Sequence, residues 1–411
     1  MPAPLRRQIR IPCADWALFS KSRGGPCLER RRRPTTTPST AIVSAIHLTF
    51  ARLRPRGASA ADRFCQGSTT QTIPLYNILW AELSDGAVKI DFVRSTKSHL
   101  KLEKLNLIPN ETENPDEPSP ADFVAAIQTR AYGKSKPQKR VLALINPNSG
   151  PGGAVKKWKT LVKPLFDAAR MKVDTITLKK GGEATDIVEK LDLDKYDAIL
   201  PCSGDGTPHE VFNGLAKRKD AGKALRNTAV GHIPCGSGNG LSLNLYGSNK
   251  ADVAALGIIK GVDMAIDLVS ITQGPRRLLS FMSQSVGIIA ECDLGTEHLR
   301  WMGSTRFEVG LVMRVVQRKC YPCDLAVKVE VEDKAGIKAH YKRHIDDPSL
   351  LEVNGHQEVE GEGLPELKYG TVQDDLPEGW ELIPHDKIGN FYCGTVSDWG
   401  TVHTVPGPCF D

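Results

Sequence analysis

Apolar residues follow two different rhythms along this chain. Ile73–Glu82 (IPLYNILWAE) is rich in β-prone side chains, and Ala87–Val93 alternates apolar with polar positions. Asp85-Gly86 between them is a turn pair, so the segment predicts a β-hairpin. From Arg140 the texture changes to strand, Gly-rich loop and helix in turn. Val141–Ile145 is a continuous apolar run, as expected of a strand buried on both faces. The loop 146–153 and a helical stretch Ala154–Arg170 follow. Val173–Leu178 reads as a strand, Lys179–Gly182 as a loop, and the next residues to about Lys190 as a helix. Asp197–Cys202 is a third strand, Ser203–Gly206 a turn, and Thr207–Ala216 a helix. Ala229–Ile233 is a fourth strand, ending in the turn Pro234–Gly240. This alternation predicts an α/β fold whose N-terminal lobe, 137–270, is a doubly wound parallel sheet. Such sheets bind ligands outside the carboxyl ends of their strands, which is where these Gly loops fall.

Beyond Gly261 strands predominate: Ala265–Ile271, Leu278–Ile289 and Leu325–Val331. One helical run, Thr305–Lys319, interrupts them, with Phe307, Leu311, Val312 and Val315 expected to form one buried face. A mostly β C-terminal lobe over 271–411 is expected. Ahead of the sheet, residues 1–72 mix Arg, Pro, Ser and Thr around the block Arg30–Arg33 and are expected to be a disordered basic leader. The hairpin occupies 73–108. Residues 109–136 are an acidic, Pro-rich linker and a short helix through Ala131, with Ser119 as cap and Pro120 at its first position.

The chain has 411 residues, 40% of them hydrophobic, which suffices for packed cores. Its net charge of +6 is segregated: residues 1–63 carry about +10, and the remainder about −4. A basic head on a near-neutral body implies a tail, which could also sit against an anionic membrane, and not a nucleic-acid-binding fold. The ten cysteines are scattered, which fits reduced thiols in a cytoplasmic protein. Cys320 and Cys323 form a lone CxxC without a second pair or nearby His, so zinc is not expected. No run of about 18 apolar residues occurs, so no spanning helix is expected. The N-terminus lacks the apolar stretch of a secretory signal.

Three loops carry the chemistry. Ser203-Gly-Asp-Gly206 stands between an apolar strand and a helix, where two glycines let the backbone approach phosphates. Pro234-Cys-Gly-Ser-Gly-Asn239 repeats the device one strand later, and Asn146-Pro-Asn-Ser-Gly-Pro-Gly-Gly153 opens the lobe. Any one could be a structural turn; three at one sheet edge point to a nucleotide. Neither Walker A nor a first-strand GxGxxG is present.

Asn146-Pro, Ser203-Gly-Asp-Gly206, His209-Glu210, Asn213-Gly214 and Ile233-Pro-Cys-Gly-Ser-Gly-Asn239, in this order, resemble the diacylglycerol-kinase catalytic domain over about 137–325. Ser283–Leu294, Arg300 and Met302-Gly-Ser-Thr-Arg306-Phe resemble the sphingosine kinases within that superfamily. Ile73–Glu82 and Arg130-Ala-Tyr-Gly133 are similar to the fungal long-chain base kinases. The resemblance implies ATP, Mg2+ and a sphingoid base such as dihydrosphingosine or phytosphingosine. It names no residue that holds the metal. It implies that Asp205 takes part in phosphoryl transfer as general base, and that Ser283 and Asp293 bind the lipid head group. It carries nucleotide contacts to Asn146, Pro147, Asn148, Leu178, Lys179, Lys180, Gly181, Gly182, Ser203, Gly204, Asp205, Glu210, Gly236, Ser237 and Gly238. Arg300 and Arg306 are implied to lie near the phosphates. A carboxylate at Asp293 would favour an ammonium-bearing lipid over a neutral one.

Two departures from the pattern are visible. Glu183 stands where the family often has His, and after Gly389–Gly394 the family's further strands and its Asp-Gly pair do not follow. The second lobe therefore reads as truncated, and weak or no kinase activity is expected of this exact chain. Alternatives are a ceramide or diacylglycerol kinase, a lipid-binding pseudokinase, or an NAD kinase. Against the last stand the hydrophobic second lobe and the Asp293, Arg300 and Arg306 set. A bilayer-resident substrate implies peripheral contact with intracellular membranes.

Overall fold

A computed structural model describes residues 9–16, 39–43, 47–52, 69–109, 118–303, 305–318, 320–346 and 362–394. In chain order the elements begin with β1 (Ile9–Trp16), β2 (Ser39–Val43), β3 (His47–Arg52), β4 (Thr69–Pro74), β5 (Ile78–Ser84), β6 (Ala87–Ser95) and β7 (Leu100–Pro109). Next come α1 (Pro120–Tyr132), β8 (Arg140–Ile145), α2 (Ala154–Lys157), α3 (Lys163–Ala168), β9 (Lys172–Thr177), α4 (Glu183–Glu189), β10 (Ala198–Ser203), α5 (Gly206–Ala216) and α6 (Ala221–Asn227). They continue with β11 (Ala229–Val230), β12 (Ile233–Pro234), α7 (Gly240–Tyr246), α8 (Ala251–Lys260), β13 (Val269–Gln273), β14 (Arg276–Ser280), β15 (Ser283–Gly287) and α9 (Ile288–Leu294). The last are α10 (Thr305–Gln317), β16 (Cys323–Val327), α11 (Lys334–Asp346), β17 (Glu381–His385) and β18 (Asn390–Gly394). The expected helix 154–170 is realised as α2, a wide π turn Trp158–Val162, and α3. Pro164 has no N–H to donate to residue 160, which removes one rung of the ladder there.

The chain divides into two compact units. One comprises residues 1–139, 161–172 and 255–262; the other comprises 140–160, 173–254 and 263–411. In the first, β1–β7 form one antiparallel sheet in the order β4-β3-β2-β1-β7-β6-β5. The expected hairpin is present as β5 and β6, with Asp85 and Gly86 both left-handed (φ 54° and 72°), as the tight primed turn requires. The cap is also present: Ser119 accepts a hydrogen bond from the Asp122 N–H, with Pro120 leading α1. Phe123, Ile127 and Ala131, spaced four apart, form the buried face of α1. Within the leader expected to be disordered, the described residues 9–16, 39–43, 47–52 and 69–72 lie in strands β1–β4, and the rest of 1–72 lies outside the described residues. The leader's Ile, Val and Thr runs find antiparallel partners: β1 pairs with β7, β2 with β3, and β3 with β4. Of the acidic linker 109–120, residues 110–117 lie outside the described residues.

The second unit holds the parallel sheet, ordered β11-β10-β8-β9, with β12 also pairing with β10. Its core joins Leu142, Leu144 and Ile199 of the strands to Val188 of α4 and Val211 and Leu215 of α5. The expected boundary near 270 is not where this unit ends. Phe281, with Leu268 and Met282, packs on Phe212 and Leu241, so apolar contact runs straight through the boundary. Beyond 271 the expected β pairings are present among the described residues. They are three two-stranded pairings, β13-β14, β15-β18 and β16-β17, interleaved with α9, α10 and α11. The strand expected to reach Ile289 stops at Gly287, whose φ of 100° and ψ of −141° suit glycine alone, and α9 begins there.

Lys260 is buried in the first unit. Its ammonium donates to the Ile78 and Ala131 carbonyls and lies 3.7 Å from the Tyr132 ring centroid. Burial, with Lys139 adding repulsion, pushes its pKa down from 10.5 to about 7. The unfolded chain therefore holds one more proton between those two values, so stability rises with pH across that window and the full burial cost is felt below it. Thermal melts of the wild type should shift upward between pH 7 and pH 10, and Lys260→Met should show a smaller rise. Parallel pH slopes for the two proteins would refute this.

Candidate functional site

The three Gly loops meet at the carboxyl ends of β8, β10 and β12, and they touch through backbone. Asn146 opens the first loop with its N–H on the Cys202 carbonyl (3.1 Å), which ties the loop to β10. Its side-chain oxygen accepts from the Asn148 N–H (3.1 Å), and Ser149 Oγ accepts from the Gly204 N–H (2.7 Å). Pro147 thus sits in a loop held at both sides. Ser203 O accepts from the Cys235 N–H (2.8 Å), and the Asp205 N–H donates to the Gly238 carbonyl (3.3 Å). The approach is close enough to require glycine. A Cβ on Gly236 would lie 2.2 Å from Gly204 Cα, and one on Gly204 would lie 2.8 Å from the Gly238 carbonyl oxygen.

Asp205 is the side chain that locks this arrangement. Oδ2 accepts from the Gly240 N–H (2.8 Å) and Oδ1 from the Leu241 N–H (3.0 Å), so the carboxylate caps α7. Each oxygen keeps a second lone pair for another donor. Behind the loop, His232 is fully buried with Nε2 3.0 Å from the Ser203 carbonyl. A carbonyl only accepts, so Nε2 carries the proton; burial also pushes the imidazole pKa down, against the opposing pull of Asp205. Cys202 and Cys235 lie beneath the loops. Burial raises both thiols, Cys235 to about 11, so they are packed core groups and not nucleophiles.

The remaining expected nucleotide residues divide. Gly182 starts α4 in a left-handed conformation (φ 80°) beside the exposed Lys179, Lys180 and Gly181. Leu178 is instead a core residue whose N–H donates to the Ile145 carbonyl (2.8 Å). Glu183 folds back so that its carboxylate accepts from the Lys179 and Lys180 N–H groups. Glu210 Oε2 accepts from the Ala184 N–H (3.2 Å), which points it at the start of α4. Ser237 Oγ is buried and has no hydrogen-bond partner among the described residues. The loops are in contact at Gly204 and Gly236, so a phosphate-bearing ligand would fit over their backbone at the rim and not between them. Among the described residues, no group of three His, Cys, Asp or Glu could hold a metal ion.

The implied lipid residues lie further along the same unit. Ser283 opens β15 opposite Gly394, so the expected strand 389–394 does form beside it. Asp293 is on α9, not at a strand end, and its carboxylate bonds the Arg306 guanidinium. Arg306 is only 5% exposed, so it is neither on a solvated helix face nor open to a ligand. Arg300 lies in the 3-10 turn Glu297–Met302, and its side chain is outside the described ones. Two positioning residues were not singled out from sequence. Asn213 donates to the Leu279 carbonyl and accepts its N–H (both 2.9 Å), tying α5 to β14. His232 is the other. Asn213 stood in the motif as part of Asn-Gly, but its partner is distant in sequence; His232 gave no local signal.

Residues 140–271 match the diacylglycerol kinase catalytic domain. Residues 50–133 match a domain of unknown function, DUF7493. The chain is 39% identical to sphingoid long chain base kinase 5 of Saccharomyces cerevisiae over 64% of its own length and 36% of that protein. It is 34% identical to sphingoid long chain base kinase 4 of Schizosaccharomyces pombe over 66% of its own length and 57% of that protein. It thus spans less than two thirds of either relative. A diacylglycerol kinase of known structure from Bacillus anthracis str. Sterne aligns over 48% of this chain and 61% of its own, at 22% identity and a TM-score of 0.35. The resemblance to the sphingoid-base kinases read from the motifs is borne out.

Two substitutions test the contact between the loops. Gly236→Ala should destabilise the unit by about 1–3 kcal/mol through overpacking. Asp205→Ala should cost about 0.5–2 kcal/mol as a lost helix cap. Denaturant melts measure both; a wild-type melt for Gly236→Ala would contradict the contact between loops.

Proposed function

We propose that this chain is an ATP-dependent lipid kinase that phosphorylates the primary hydroxyl of a sphingoid base. The observation that carries this reading is the contact of three glycine loops at one rim of a parallel sheet, beside the carboxylate of Asp205. Backbone N–H groups and the start of a helix at that rim suit phosphate oxygens. Phosphoryl transfer asks the protein for in-line placement and charge stabilisation more than for covalent chemistry. Asn146–Asn148, Ser203–Asp205 and Gly236–Gly238 would cradle the nucleotide, with Ser237 Oγ as a free donor. Mg2+, carried on the phosphates, supplies charge neutralisation when bound. Asp205, held by the first two N–H groups of α7, offers its remaining lone pairs to the substrate hydroxyl and takes its proton. Asp293 faces the lipid's ammonium, which favours a sphingoid base over neutral diacylglycerol.

The lipid must be reached in a membrane. Among the described residues no helix is long and apolar enough to cross one. The face of helix α10 expected to be buried is instead exposed, with Val312 65% and Val316 76% accessible beside Leu311 and Val315. This supports peripheral contact on intracellular membranes from the cytoplasmic side.

Labelled phosphate from ATP should appear on dihydrosphingosine in the presence of Mg2+ at the low rate expected of this chain, and Asp205→Asn should reduce that transfer by about 100-fold or more, as loss of a general base does. Wild-type protein that binds ATP but labels no sphingoid base sinks the proposal. Sedimentation with phosphatidylserine vesicles should fall when Val312 and Val316 are both changed to Asp.

A further inference from the structure

His232 stands immediately before β12 and is fully buried. Its two ring nitrogens are treated very differently by the fold. Nε2 donates to the Ser203 carbonyl (3.0 Å), whereas Nδ1 is buried with no hydrogen-bond partner among the described residues. An orphaned acceptor bears the full penalty of its lost hydration. An apolar side chain of similar size would relieve that penalty, so packing alone does not account for a histidine at this position.

The side-chain and main-chain donors of His232 both lead to Asp205. The Ser203 carbonyl also accepts from the Cys235 N–H (2.8 Å), and at the other end of the same peptide the Gly204 N–H donates to Ser149 Oγ (2.7 Å). With one donor on the carbonyl the peptide could still rock about that bond; the imidazole adds a second and fixes the plane that leads into Asp205. The main-chain N–H of His232 donates to Tyr246 Oη (3.3 Å), in the last residue of α7. The first N–H groups of α7, from Gly240 and Leu241, are the ones that hold the Asp205 carboxylate. His232 therefore ties down the peptide before Asp205 and the helix that receives its side chain. Burial keeps the ring neutral against the pull of the Asp205 charge. An imidazolium would put an unmet proton on Nδ1 and a buried positive charge beside Asp205, which would weaken that carboxylate as a base.

We propose that His232 is a positioning residue for phosphoryl transfer, retained at the expense of stability: as a neutral Nε2–H donor it fixes the Ser203–Gly204 peptide and so aims Asp205 at the substrate hydroxyl. This rests on the kinase reading of the site. The orphaned Nδ1 is the stability forgone. Without the imidazole the loops stay closed, because the contacts of Ser149, Cys235 and Gly238 remain. The carboxylate, however, is no longer confined to one direction, and small misplacements of a reacting group are expensive in rate.

Two variants separate positioning from packing. His232→Leu fills the space and removes both the donor and the orphaned nitrogen, while His232→Gln has an amide N–H for the same carbonyl. Thermal melts, affinity for a non-hydrolysable ATP analogue, and phosphate transfer from ATP to dihydrosphingosine at saturating substrates are measured for wild type and both variants. His232→Leu should melt at or above wild type, bind the analogue within about twofold, and transfer phosphate about tenfold more slowly, a split that lost packing does not produce. His232→Gln should recover transfer to within about threefold of wild type. A wild-type rate in His232→Leu overturns the inference. So does a Gln variant as slow as the Leu variant, or a Leu variant whose melting temperature falls along with its rate. Should neither variant fold, nitrogen NMR of the wild-type imidazole decides. A neutral ring protonated at Nε2 at about pH 7 is expected, and a ring protonated at Nδ1, or an imidazolium, overturns the inference. Wild-type protein that transfers no phosphate sinks the kinase reading, while the tautomer and the order of melting temperatures still decide the part played by His232 in the loop.

Discussion

The site depends on one steric constraint: two backbones must pass each other at Gly204 and Gly236 with no side chain between them. Only at that spacing can the Ser149 hydroxyl and the main chain of Cys235 and Gly238 knit the loops together by hydrogen bonds. A single methyl at either glycine meets backbone, which has nowhere to go. The apolar sheet beneath makes the approach rigid. Leu142, Leu144 and Ile199 fix the strands, and the strand ends then fix the loops.

Charge is distributed on the same principle of fixed partners. Asp205 and Asp293 are the two acids that the proposed chemistry uses, and both are already hydrogen-bonded. Asp205 is held by helix N–H groups and Asp293 by a buried guanidinium. Asp205 retains an unshared oxygen lone pair for a substrate. Preordering of this kind lowers the entropy that a ligand must supply on binding.

Much of the fold was legible because its signals are local. The apolar run Val141–Ile145, the Gly-rich loops and the Asp85-Gly86 turn each say what the backbone does within a few residues, and each element formed. The Ser119-Pro120 cap did too. The strands within the basic leader were missed because Arg and Pro content masks short β-prone runs such as Ile9–Trp16, which become strands only by pairing with partners far along the chain. The helix α9 was hidden for a related reason. A strand pattern through Ser283–Ile289 is plausible until the backbone sign at Gly287 is known.

Roles divide along the same line. Residue types and their order were enough to mark the three Gly-rich loops that meet at one rim, whereas Asp205 was singled out by the resemblance and not by its spacing. Whom each side chain touches was decided only by tertiary packing. Leu178 went to the core, Glu210 to the start of α4, and Arg306 to Asp293 thirteen residues earlier. The physical reason is that backbone conformation answers to neighbours in sequence, whereas the partner of a long charged side chain is set by whichever helix or strand the fold brings within a few ångströms of it.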